Sequence, residues 1–117
     1  MSKIQVSAKM KIHHDKLEEF KQMAMECIRQ VKEKDRGTLQ YDWFLSGDDE
    51  CEIRETYESS EAALAHQSNV KKPLQMLFEK FGTPTSVEIY GDPSPELLDN
   101  AIQSGIGVKI FSYLQGL

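Results

Sequence analysis

The sequence predicts one α+β domain: a ferredoxin-like antiparallel sheet with helices on one face, carrying an extra helix and strand at its C-terminal end. Three observations carry this. Apolar side chains alternate with period two near the N-terminus, they then recur at helical spacing, and the periods follow the order β-α-β-β-α-β. The chain has 117 residues, enough for one core and too few for two. We therefore expect a single domain over 1–117, with its core in 3–91 and a helix-strand extension in 92–117.

The first strand spans Lys3 to Ile12. Ile4, Val6, Ala8, Met10 and Ile12 point one way, and Lys3, Gln5, Ser7, Lys9 and Lys11 the other. His13 and His14 lead to Asp15, with Glu18 three residues on, which reads as a capping box opening a helix. Leu17, Phe20, Ala24, Cys27, Ile28 and Val31 form its apolar stripe. Acidic Glu18 and Glu19 near its start and basic Lys32, Lys34 and Arg36 near its end suit the helix dipole, and Gly37 is its expected stop.

Thr38 to Ser46 reads as a second strand, with Leu39, Tyr41, Trp43 and Leu45 on one face. Gly47-Asp48-Asp49 turns the chain into a third strand, Cys51 to Glu58, with Cys51, Ile53, Glu55 and Tyr57 on one face. Ser59 or Ser60 caps a short helix holding Ala62, Ala63, Leu64 and His66. A separate helical piece is expected from Val70 to Phe81, with Pro73 in its first turn. Ser86 to Tyr90 is a fourth strand. Ser94 caps a helix to Gln103 with Pro95 at its first position, and Val108 to Leu114 is the fifth strand.

The other sheet face is mixed: Lys3, Gln5, Lys9, Gln40, Asp42, Arg54 and Glu88 stand beside Phe44 and Tyr90, with Phe111 and Tyr113 nearby. It is either a solvated face with stray aromatics or a wet interface between subunits.

Composition narrows the function. The formal charge is −5, against binding to nucleic acid, whose phosphates demand a basic surface, and against an anionic membrane. No stretch approaches the ~20 apolar residues of a spanning helix, and Met1 to Gln5 has no signal-like apolar run, so a cytoplasmic address is expected. Cys27 and Cys51 are expected as reduced, buried or half-buried side chains. His13-His14-Asp15 lacks chelate geometry, since neighbours on an extended segment diverge, and no metal motif is evident. Gly105-Ile106-Gly107 lacks the rest of a phosphate-binding loop. No metal and no cofactor are expected.

Three segments carry a family resemblance. Gly37-Thr38-Leu39-Gln40-Tyr41-Asp42, the run Arg54-Glu55-Thr56-Tyr57-Glu58-Ser59-Ser60-Glu61-Ala62, and Ala65-His66-Gln67-Ser68 resemble, in order and on the expected elements, the antibiotic biosynthesis monooxygenases and the quinol monooxygenases grouped with them. The resemblance implies a dimeric α/β barrel in which two sheets pack face to face, which would make the mixed face a homodimer contact. It implies cofactor-independent oxygenase chemistry on a phenol or quinol-like aromatic, with dioxygen as co-substrate. A haem-degrading branch is not matched: its first-strand asparagine falls at Val6 or Ser7, its tryptophan is missing from the short helix, and Gln75 stands where its histidine falls.

The resemblance places the family's histidine on His66, whose chemistry suits a general base. Glu55, a carboxylate on an apolar strand face between Ile53 and Tyr57, needs a partner or a raised pKa. It is read either as an orienter of His66 and acceptor of a substrate proton, or as a structural hydrogen-bonding group. Trp43, Tyr41, Tyr57 and Phe78 are candidates to line a pocket for a flat aromatic molecule, and equally suit a core. Two alternatives stand beside the oxygenase: a dimer that binds or senses a small aromatic metabolite, and an isomerase-like member acting on a small carbonyl compound. Substrate identity and the placement of the C-terminal helix and strand are not readable from the sequence.

Overall fold

The computed structural model describes residues 3–117; Met1 and Ser2 lie outside the described residues. The elements run β1 (Ile4–Lys11), a 3₁₀ turn (His14–Lys16), α1 (Leu17–Lys34), β2 (Thr38–Leu45), β3 (Glu50–Tyr57), α2 (Ser60–Phe81), β4 (Ser86–Tyr90), α3 (Pro95–Gln103) and β5 (Val108–Phe111). The sheet order is β2-β3-β1-β4-β5. The four core strands pair antiparallel, as expected of a ferredoxin-like sheet, and β5 adds to β4 in parallel after the α3 crossover.

The period-two pattern of β1 sets the layers. Ile4, Ala8 and Met10 are buried beneath the helices. One apolar cluster gathers Met10, Phe20, Cys27, Cys51, Ile53 and Leu77; a second gathers Ile4, Tyr57, Ala63, Ile89 and Leu97. Full burial of side chains such as Phe20 and Leu77 stabilises the fold by about 1.5–3 kcal/mol each.

Four expected element bounds are corrected. The helix α1 starts later than a capping box at Asp15 requires: Lys16 is its N-cap and provides no side-chain bond, because the chain first makes a 3₁₀ turn closed by Lys16 N to His13 O at 3.0 Å. Gly37 does not end α1, which stops at Lys34 with Asp35 extended behind it. The residues expected as two helical pieces form one helix, α2, with Pro73 inside it. Its buried stripe of Ala63, His66, Val70 and Leu77 packs along the domain, and this offsets the bond that proline removes from the Asn69 carbonyl. Finally, β5 ends at Phe111 rather than at Leu114.

A β-bulge between Thr38 and Gln40 lets β2 place Thr38, Tyr41 and Trp43 opposite Tyr57, Glu55 and Ile53. Leu39 is the extra residue and stands exposed, so it leaves the face it was expected to share with Tyr41. Ser59 and Ser94 do cap their helices, accepting from Ala62 N at 3.1 Å and Leu97 N at 3.2 Å. Phe44, Tyr90, Phe111 and Tyr113 are exposed, and Tyr90 and Phe111 stack 5.0 Å apart on neighbouring strands. Among the described residues, no helix is long and apolar enough to cross a membrane.

Candidate active site

Gly37 determines where the site forms. Its carbonyl accepts from Glu58 N at 2.9 Å. A Cβ at this position would lie 2.6 Å from the Ala62 Cβ, so only glycine allows the start of β2 to lie directly on the first turns of α2. That close approach carries Asp35, two residues earlier, against His66 in the next turn of α2.

Asp35 is the centre of a buried polar network. Its Oδ2 lies 2.7 Å from His66 Nδ1 and accepts from Thr38 Oγ1 at 2.5 Å, while Oδ1 accepts from Asn69 Nδ2 at 2.9 Å. Burial alone pushes the Asp35 carboxyl up, but the hydrogen bonds from Thr38, Asn69 and His66 together outweigh it and hold the group below the usual aspartate range. An ionised carboxylate can only accept, so Nδ1 of His66 carries the hydrogen and the other ring nitrogen, Nε2, is fixed in direction.

Nε2 faces Glu55, with Oε1 at 3.9 Å. That separation is too long for a hydrogen bond. Glu55 accepts instead from the Tyr57 hydroxyl. Burial pushes the Glu55 carboxyl up; the neighbouring histidine and the Tyr57 bond oppose this without cancelling it, and Asp35 adds to the rise. The Tyr57 hydroxyl is held well above its ordinary range, first by burial and then by the Glu55 charge.

Aromatic rings enclose the histidine. Tyr41 and Tyr57 lie 4.8 and 5.1 Å from it, centroid to centroid. Side-chain exposure is 3% for Asp35, 5% for His66 and 14% for Glu55, so Glu55 is the member of the group that solvent reaches most readily. Trp43 packs on Tyr41 at 5.8 Å and on Phe20 at 5.9 Å, and its buried Nε1 has no hydrogen-bond partner. The structure thus gathers His66, Glu55, Tyr57 and Tyr41, with Trp43 one ring further out. Phe78 is not in this group. It sits twelve residues further along α2, about 18 Å at 1.5 Å per residue, and packs on the Phe20 cluster.

A family model, antibiotic biosynthesis monooxygenase, matches residues 4–71. The chain belongs to the antibiotic biosynthesis monooxygenase family. The matched span holds every residue of the network from Asp35 to Asn69. Among solved structures, the chain is similar to MupZ from Pseudomonas fluorescens, with a TM-score of 0.82, 19% identity, and coverage of 100% of this chain and 94% of that one. A candidate antibiotic biosynthesis monooxygenase from Caulobacter crescentus gives 0.67, 24%, 75% and 87%. Rv0793 from Mycobacterium tuberculosis gives 0.66, 20%, 80% and 97%. At these identities the likeness shows the fold, and with MupZ it extends over α3 and β5. No curated protein matches the chain.

Asp35 is the functional candidate that sequence reasoning missed. A signal was present: a lone acid between Lys34 and Arg36, at the negative end of α1, works against the helix dipole. A charge placed there needs a reason outside its own helix.

Proposed function

We propose that this member of the family is a cofactor-independent monooxygenase acting on a phenol or quinol-like aromatic, with His66 as the general base. The observation that carries the reading is the Asp35–His66 pair. A carboxylate held ionised at 2.7 Å from Nδ1 stabilises the imidazolium that forms when Nε2 takes a proton.

The 3.9 Å gap between Nε2 and Glu55 Oε1 supports a specific substrate pose. An oxygen about 2.8 Å from each atom subtends an angle of roughly 90°, so one phenolic oxygen can bridge them. Burial raises the Glu55 carboxyl, and in its protonated form Glu55 donates to that oxygen as the phenol's proton passes to Nε2. The resulting phenolate is electron-rich enough to reduce dioxygen directly. One oxygen atom ends in the organic product and the other leaves as water with two hydrogens from the substrate. The protein binds, deprotonates and shields, and Tyr41, Tyr57 and Trp43 form the aromatic surroundings.

In this reading two copies pair through the outer sheet face, where exposed Phe44, Tyr90 and Phe111 stand among charged residues. A monomer at micromolar concentration would remove that part of the proposal.

The test is oxygen uptake with a panel of hydroquinones, naphthoquinols and anthrones. We expect His66→Gln to lose about 10²–10⁴-fold in kcat/KM. Equal uptake by both proteins rejects His66 as the base. Anaerobic turnover of a small carbonyl compound instead would move the same acid–base pair to isomerase chemistry, and saturable binding without product would leave a sensor.

A further inference from the structure

On the side of the helix layer turned away from the sheet, α1 and α2 frame a groove of about 690 Å³ that the proposed oxygenase site does not use. Its volume lies within the range of small-molecule sites. Gln30 and Lys34 come from α1, and Asn69, Lys71, Lys72 and Met76 from α2.

The charge balance of the groove is one-sided. Lys34, Lys71 and Lys72 form no ion pair among the described residues. Glu26 is the carboxylate on the groove wall, and Arg29, which it shares with Glu33, partly offsets its charge. Arg29 donates to both of its oxygens, at 2.6 and 2.9 Å, and the bonds from Arg29 and Gln30 pull its carboxyl down to about 2. Lys34, Lys71 and Lys72 thus line the groove without an ion pair among the described residues, in a protein whose formal charge is −5.

One further feature narrows the occupant. Met76 is 54% exposed, and with Pro73 it gives the groove an apolar wall.

We propose that this groove binds a small organic anion, with its acid on Lys34, Lys71 and Lys72 and its apolar body on Met76 and Pro73. The occupant is sensed at the buried network. Asn69 lines the groove and also donates to Asp35 at 2.9 Å, which holds His66, so filling the groove alters the environment of that imidazole.

The experiment is an amide and imidazole NMR titration of the full chain with pantoate, a carboxylate that carries hydroxyl donors and a gem-dimethyl body. It needs no turnover, so it stands or falls separately from the oxygenase reading. We expect saturable shifts at Gln30, Ser68 and Asn69 and at the His66 ring, with the affinity reduced about tenfold or more in Lys71→Ala/Lys72→Ala. Both lysines are exposed, so the variant keeps its fold. Pantolactone, the neutral cyclised form, is expected not to saturate, and inorganic phosphate to bind more weakly than pantoate. Absence of saturation up to ~10 mM pantoate, equal binding of either control, or an unchanged double variant overturns the site. Shifts confined to the groove, with a silent His66, overturn its link to the network.

Discussion

Asp35 and His66 stand 31 residues apart in the chain and meet at 2.7 Å, with both side chains almost wholly buried. The carboxylate also receives Thr38 and Asn69. Removing it takes the acceptor from three donors at once, among them the almost wholly buried His66 Nδ1–H, and a buried donor left without a partner costs about 1–3 kcal/mol.

Asp35→Ala is therefore expected to lower the unfolding free energy by about 3 kcal/mol or more, read from urea denaturation. Asp35→Asn, which keeps one acceptor oxygen, is expected to fall between the variant and wild type. A loss under about 0.5 kcal/mol for the alanine variant contradicts the network.

Stability should depend on pH in two opposite ways. The Asp35 carboxyl is held below its unfolded value, so its contribution is present above the ordinary aspartate range and is lost as pH falls through the lowered folded value. Glu55 is raised, so its contribution is complete below the ordinary glutamate range and is lost as pH rises toward the raised folded value. Glu55→Gln, which keeps an acceptor for Tyr57, should then be more stable than wild type at neutral pH, with the difference closing toward acidic pH. Melting curves of both proteins across the acid-to-neutral range check this, and a difference that widens toward acid has the wrong sign.

Gly37→Ala should be destabilising by about 1–3 kcal/mol, since the new methyl meets the Ala62 Cβ at 2.6 Å. Ala62→Gly in the same chain should recover part of this, less about 1 kcal/mol for glycine in a helix. The signals of His66 should shift in the single variant and return in the double. Additive losses would mean that the approach of β2 to α2 is not what constrains this position.

Cys27 and Cys51 are fully buried, and burial pushes both thiols up to about 11. Neither should react with a maleimide at neutral pH in the folded protein, while both should react in denaturant. Fast modification of the native chain would show that the Phe20 cluster opens.

Much of the fold was legible because it is written in local periods. The alternation from Ile4 to Ile12 gave the central strand and its buried face, and Ser59 and Ser94 marked two helix starts. Period two cannot register one added residue, so the bulge at Leu39 was invisible. The polar run Gln67-Ser68-Asn69 followed by Pro73 looked like a break, because the packing that carries α2 through it comes from elements distant in the chain, α1 foremost and then the sheet. The site was half legible. His66 stood out through its resemblance to the family, and Glu55 as an acid among apolar neighbours. Asp35 gave only the faint signal of an acid at the wrong end of a helix, since its role depends on a contact across the fold.

The ¹⁵N imidazole spectrum of His66, recorded with and without a bound phenol, tests the central claim most directly. The account predicts a hydrogen on Nδ1, directed at Asp35, and an Nε2 lone pair whose resonance moves when the phenol binds. A ring found with Nδ1 bare and Nε2 protonated, unmoved by the phenol, would contradict it.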